Sequence, residues 1–269
     1  MTSENSSESF EVIMGSALKL PGIKVDKKEF LAKSFSNHVS GDLLCKIVEQ
    51  GPILANVDIA IINKIAKKLV STRTITSSGA SFVAGVPGGF AMAATIPADT
   101  LQFFGVALRL AQELGYLYGY EDFWDERGVN IDRVNGELVL FLGVMFGVGG
   151  STAALKVLTS KASQQALKKI PNKALTKTIY YPVIKKIAAI IGVKMTKDTF
   201  AKGVSKVIPF VGGVVSGGLT FASMSKMGKR LMISLQITID NNAKDLEKDF
   251  NELKKENPQI IDIEFEDLI

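Results

Sequence analysis

Residues 99–120, DTLQFFGVALRLAQELGYLYGY, indicate the fold class more clearly than any other stretch of this sequence. Asp99 and Gln102 have the spacing of a capping box, which favours the start of a helix. The glycines at positions 115 and 119 are typical of a helix end. Between them lies a broad apolar face at helical spacing, made of Leu101, Phe104, Leu108, Leu110 and Leu114. The pattern predicts a helix of about 18 residues and, with few strand signals elsewhere, an all-α protein.

Two further helices are predicted upstream of this stretch. The first begins at a second capping box, Asp26 to Glu29, and is expected to run to Glu49 before the Gly51-Pro52 pair stops it. The second covers residues 58–70. Its expected core face is Ile61, Ile65 and Leu69, and the side expected to face water carries Lys64, Lys67 and Lys68.

Three segments have no charged residue: 74–98, 138–155 and 207–225, which are 25, 18 and 19 residues long. A membrane span needs about 20 apolar residues, and GVPGG at 85–89 divides the first segment into arms too short to cross. The segments are better interpreted as glycine-rich helical hairpins or buried core helices. Pairs of small residues four apart let helices approach closely. The glycines expected at such contacts are Gly85, Gly88, Gly89, Gly143, Gly147, Gly213 and Gly217.

Basic residues are concentrated in the middle of the chain. The formal net charge is +5, yet residues 138–206 contain 12 lysines and a single acidic residue, Asp198. A predicted helix there carries Lys185, Lys186 and Lys194 away from its apolar side, as in helices that lie on anionic membranes. A solvated helix packed on its neighbours is an equal alternative. Nucleic acid is disfavoured as a partner because this block has no arginine and few aromatic residues.

Catalytic, cofactor and metal sites are not indicated. A phosphate loop of the G-x-x-x-x-G-K-[ST] type is absent from the sequence. His38 and Cys45 are predicted to lie on one helix, about 10 Å apart along its axis, which is too far for a nucleophile and its base. Arg109 and Glu113 are four apart in an apolar helix and are predicted to form a structural ion pair. We therefore expect a protein that is not an enzyme and binds no cofactor or metal.

The composition favours one helical domain in a reducing compartment. The chain has one cysteine, and its polar, acidic N-terminus does not resemble a secretory signal. We expect a flexible tail at 1–25, a single helical domain at 26–256, and an acidic and apolar tail at 257–269. The last segment could form a short strand or stay flexible as a recognition site for a protein partner.

The glycine-rich blocks also resemble a known family. SGASFVAGVPGGFAMAATIPADTLQFFGVALRLAQELGYLYGY and VIPFVGGVVSGGLTFASMSKMGKR are similar to the two signature blocks of the EcsC family, and the resemblance covers about residues 60–235. The matching positions are Gly85, Gly88, Gly89, Pro97, Asp99, Arg109, Tyr118 and Gly119. The resemblance implies a largely helical bacterial protein named for an operon that encodes an ABC transporter, and it supplies no catalytic residues.

These observations predict an all-α helical bundle in the cytoplasm, associated with the inner face of the cell membrane. Its expected role is that of an accessory or scaffold near a transporter or envelope machinery. The alternative is a soluble helical domain that binds an apolar ligand such as a lipid chain.

Overall fold

The computed structural model describes residues 14–76, 98–125, 128–129, 134–159, 186–187, 217–240, 247–249, 251–252 and 255. Its main helices are α1 (Lys27–Phe35), α2 (Gly41–Gln50), α3 (Ile59–Thr76), α4 (Ala98–Leu117), α5 (Val139–Phe146), α6 (Ser151–Thr159) and α7 (Gly217–Asp240). A π-helical turn, Val134–Leu138, leads into α5. The two-residue strands β1 (Trp124–Asp125) and β2 (Gly128–Val129) form one antiparallel pair. The predicted all-α class is confirmed.

Helix α4 is the centre of the bundle, and α1, α3, α5 and α7 pack around it. Every residue from Phe104 to Tyr118 is buried except Arg109. A helix that is apolar all round is expected in the interior of a protein. The helix begins at Ala98, so Asp99 lies in the first turn and not at the N-cap as predicted.

The single helix predicted from Asp26 to Glu49 is wrong, because the chain forms α1 and α2 with a turn at 36–40 between them. The predicted start is correct, since the Asp26 Oδ1 accepts a hydrogen bond of 2.8 Å from the Glu29 amide. The break falls in SNHVS, whose serine and asparagine residues favour turns and caps over helix interiors. Because of the break, α1 and α2 pack on each other, with Phe35 and Ile47 buried.

The buried face of α3 is turned by one position from the predicted face. Ile62, Ala66 and Val70 are buried together with Ile65. Ile61 and Leu69, which were predicted to be core residues, are only half-buried. The cause is that α3 contacts both α4 and α7, so its buried arc is wider than a single stripe. The three lysines of α3 are exposed as predicted.

The flexible tail predicted for residues 1–25 is wrong for its last part, 14–25. Met14, Ala17, Ile23 and Val25 are buried in the core. Ile23 packs against α4 at Gly105, where a β-carbon would lie only 2.9 Å from the Ile23 Cδ1. Residues 14–25 therefore belong to the packed domain.

Helices α5 and α6 form the expected glycine-rich hairpin. All eight residues of α5 are buried. The Val148 amide donates to the Gly143 carbonyl over 2.9 Å, and Gly147 has a positive φ of 68°. Together these features end α5 in a Schellman-type turn. Gly147 therefore ends α5, and its close neighbour is the guanidinium of Arg230 on α7.

Gly143 does lie at a close contact. A β-carbon there would lie 2.6 Å from the Ile187 Cδ1 and 3.0 Å from the Ser151 Cβ. Gly217 is the first residue of α7. Gly85, Gly88, Gly89 and Gly213 lie outside the described residues. Within the part of the chain that the structure describes, no helix is both long enough and apolar enough to span a membrane.

Candidate functional site

Among the described residues, a fully buried carboxylate lies between two arginines. The Glu113 side chain is 0 % exposed, and those of Arg73 and Arg109 are 29 % and 27 % exposed. The Arg73 Nε donates to the Glu113 Oε2 over 2.7 Å, and its Nη2 donates to Oε1. The Arg109 Nε donates to the same Oε1 over 3.1 Å. The ion pair expected between Arg109 and Glu113 is present, and Arg73 joins it from α3.

This arginine–glutamate cluster, defined as Arg73, Arg109 and Glu113, also holds the N-terminal segment. The Arg109 Nη1 donates to the Gly22 carbonyl. Both carboxylate oxygens of Glu113 accept hydrogen bonds from guanidinium groups. A general base needs a free oxygen within reach of a substrate proton. The cluster is therefore suited to joining α3, α4 and residues 14–25.

Gln112, next to this cluster, connects three parts of the chain. Its Nε2 donates to the Ile23 carbonyl over 3.0 Å, and its Oε1 accepts from the Trp124 Nε1 over 2.7 Å. Trp124 in turn packs under Lys24, whose Nζ lies 5.3 Å from the ring centroid. The side chain thus fixes both the N-terminal segment and the β1 strand on α4.

Two tyrosines at the end of α4 make partly buried hydrogen bonds. The Tyr116 hydroxyl donates to the Asp122 Oδ1 over 2.8 Å, and the Tyr118 hydroxyl donates to the Asn63 Oδ1 over 2.7 Å. Burial raises the pKa of Tyr116 far above its usual value, and the Asp122 carboxylate raises it further. Burial also raises the pKa of Tyr118. Both phenols are thus neutral at physiological pH; Tyr116 positions the turn that follows α4, and Tyr118 joins the end of α4 to α3.

A different surface lies on α7, where one side of the helix faces solvent. Lys226, Lys229 and Arg230 are exposed on this side, followed by Ile233 at 52 % and Ile237 at 39 % exposure. The opposite side packs into the core through Met224, Met227, Leu231 and Leu235. We call the exposed set, Lys226, Lys229, Arg230, Ile233 and Ile237, the α7 face.

Arg230 links the α7 face to the hairpin turn. Its Nη1 lies 3.3 Å from the Met145 carbonyl, which it reaches as a hydrogen-bond donor. The guanidinium also lies against Gly147, where a β-carbon would be 2.9 Å from Nη1. A cation at a helix C-terminus stabilises the free carbonyls there. Arg230 therefore caps α5 in addition to contributing charge to the surface.

The residues considered for catalysis or metal binding are not brought together. His38 lies in the turn between α1 and α2, and Cys45 is exposed on α2, so their predicted placement on one helix is wrong. Among the described residues, no group of three or more His, Cys, Asp or Glu side chains could hold a metal ion.

The predicted membrane-surface lysines fall largely outside the described residues. Lys186 is half-buried next to the buried Ile187, whereas Lys185, Lys194 and residues 257–269 are not described. Neither the pairing of Arg73 with Glu113 nor the exposure of the α7 isoleucines was predicted from the sequence. No pattern in the sequence of α3 links Arg73 to Glu113.

Comparisons of the chain with models of protein families, with curated proteins and with solved structures give no match.

Proposed function

We propose that this protein is a non-enzymatic helical scaffold or accessory protein that works at the inner face of a cell membrane. The resemblance of its glycine-rich blocks to the EcsC family suggests a place near a transporter or envelope machinery. Attachment at the membrane surface, without crossing, fits the sequence, since each uncharged segment is either short or interrupted.

The observation that most supports a scaffold role is that the buried carboxylate of Glu113 is bonded to two arginines. Active sites usually leave an ionisable group in a cleft with its pKa tuned for the reaction. Here the carboxylate is fully buried and both of its oxygens are bonded to arginines from two helices. The polar groups around Glu113 hold the bundle together. A scaffold needs such a rigid fold because it presents its surface to partners.

Contact with a membrane is supported by the distribution of charge along the chain. Lysines greatly outnumber acidic residues in 138–206, and a basic segment next to apolar residues is attracted to anionic lipid. In the alternative, a soluble domain, these apolar residues would line an interior site for a lipid chain. The two proposals differ in where the protein is found after cell lysis.

Fractionation of cells that produce the full chain tests the proposal. We expect the protein to pellet with membranes and to be released by high salt, because salt screens surface electrostatics. Release only by detergent would indicate insertion. A soluble, monodisperse protein that carries co-purified lipid would contradict membrane attachment and favour the ligand-binding alternative. The variant Lys185→Glu/Lys186→Glu tests whether the lysine block contributes, and unchanged pelleting would remove that part of the proposal.

A further inference from the structure

The α7 face combines charge and apolar surface along one side of a helix. Lys226, Arg230, Ile233 and Ile237 are separated by four, three and four residues, which places them on one side of the helix. Lys229 lies beside them. At 1.5 Å per residue the face extends about 16 Å along the helix axis. Its first half is basic and its second half is apolar.

The exposure of the two isoleucines requires an explanation. Among the described residues, the large apolar side chains that remain exposed are Leu54, Ile233 and Ile237. The two isoleucines are four residues apart on the same side of α7, whereas Leu54 lies far along the chain in the loop before α3. Single exposed apolar residues are common, but a pair on one helix face beside three cations marks a contact surface.

The charge of the face identifies the kind of partner. Helix α7 contains no acidic residue before Asp240, so no carboxylate of this helix neutralises Lys226, Lys229 and Arg230. A second copy placed by two-fold symmetry would set the cations against its isoleucines if the helices were antiparallel, or against its cations if they were parallel, so it would not neutralise their charge. Nucleic acid would use the cations but leave the isoleucines in water. An anionic bilayer satisfies both halves, because phosphate headgroups pair with the cations and acyl chains cover the isoleucines.

We infer that the α7 face lies on an anionic lipid bilayer, with Lys226, Lys229 and Arg230 at the headgroups and Ile233 and Ile237 inserted among the acyl chains. This inference rests on the proposed membrane attachment and assigns it to α7, in addition to or in place of the lysines at 185–194. Because α7 packs on α3, α4, α5 and α6, it presents the face on a rigid support. The contact orders few additional groups, which favours binding.

The test uses the purified full chain and sedimentation with vesicles of phosphatidylcholine alone or of an equimolar mixture with phosphatidylglycerol. We expect binding to the anionic vesicles only. Lys226→Glu/Lys229→Glu should weaken this binding about 25-fold or more, since each cation near an anionic surface contributes about fivefold. Arg230 is left unchanged because it also caps α5. Ile233→Ser/Ile237→Ser should weaken binding as well and should make the remaining binding more sensitive to salt.

Matched control variants separate the α7 face from general effects. Lys33→Glu/Lys46→Glu makes the same change in charge at exposed positions on α1 and α2, and Leu54→Ser removes another exposed apolar side chain. Each should change binding less than about twofold. All substituted residues are exposed, so circular dichroism and thermal unfolding should match the wild type.

An environment-sensitive fluorophore gives an independent measurement of insertion. In a Cys45→Ser background, the fluorescence emission of a label on Ile237→Cys should shift to shorter wavelength on anionic vesicles. The emission of a label on Leu54→Cys should not shift. If the wild type binds but the α7 variants bind equally well and the label at 237 does not shift, the assignment to α7 is wrong and membrane attachment stands. If the wild type does not bind anionic vesicles, both proposals fail. Concentration-dependent dimers that are lost in Ile233→Ser/Ile237→Ser would assign the face to a second copy and overturn the inference.

Discussion

The variant Glu113→Gln tests the arginine–glutamate cluster with almost no change in shape. The substitution removes the negative charge and leaves Arg73 and Arg109 beside a neutral amide. Loss of one partner of a fully buried ion pair costs about 3–5 kcal/mol. The arginine side chains are 29 % and 27 % exposed, so water partly solvates them and lowers the cost. We therefore expect the free energy of unfolding to fall by about 2–3 kcal/mol.

Urea unfolding followed by circular dichroism measures this loss, and the slope of the transition should stay unchanged. For a chain of this size the same loss lowers the melting temperature by about 5–10 °C. The matched control is Glu49→Gln, the same chemical change at an exposed position on α2, which should alter stability by less than about 0.5 kcal/mol. If Glu113→Gln is as stable as this control, the cluster does not hold α3 and α4 together as described.

Three further predictions concern other parts of the fold. The pKa values of Tyr116 and Tyr118 are higher in the folded protein than in the unfolded chain. Their contribution to the free energy of unfolding is therefore complete below about pH 10. Above that pH it falls by about 1.4 kcal/mol per pH unit for each tyrosine. Urea unfolding at several alkaline pH values should show this slope, and Tyr116→Phe should reduce it; an unchanged slope would contradict the assignment. Ile23→Ala should cost about 2–4 kcal/mol in the same assay, against less than about 0.5 kcal/mol for Leu54→Ala, and equal values would mean that the N-terminal segment is not part of the core. Gly147→Ala should cost about 1–2 kcal/mol because an alanine at a φ of 68° is strained, and a stability equal to the wild type would contradict the turn geometry.

Features that depend on residues close together in the chain could be predicted from the sequence. The Asp26 cap and the end of α2 at Gly51 follow from local hydrogen bonding and backbone conformation. The pairing of Arg109 with Glu113 follows from their spacing of four residues on one helix. The helical character of residues 99–117 follows from their capping and periodicity.

Features that depend on distant contacts were not predictable from the sequence. Arg73 reaches Glu113 across 40 residues of chain, so no local pattern connects them. Residues 14–25 contain one short helical turn, at 14–18, followed by proline and glycine at 21 and 22, so the segment is too short for a periodic pattern to predict its burial. Their burial arises from the surface that α4 offers at Gly105, Arg109 and Gln112.

The α7 face could not be predicted from the sequence for a related reason. Helix α7 contains apolar residues on most of its sides, so its composition does not reveal which of them face the core. The packing of α3, α4, α5 and α6 on one side leaves Ile233 and Ile237 on the other. The three cations were visible in the sequence, but their position beside exposed isoleucines required the structure.

Flotation of the purified wild-type protein in a density gradient is the most direct test of membrane attachment. We expect the protein to rise with vesicles that contain phosphatidylglycerol and to remain at the bottom with vesicles of phosphatidylcholine alone. Salt at about 1 M, where the Debye length is near 3 Å, should release most of it. Protein that stays at the bottom with both kinds of vesicle at low salt would contradict attachment to the membrane surface.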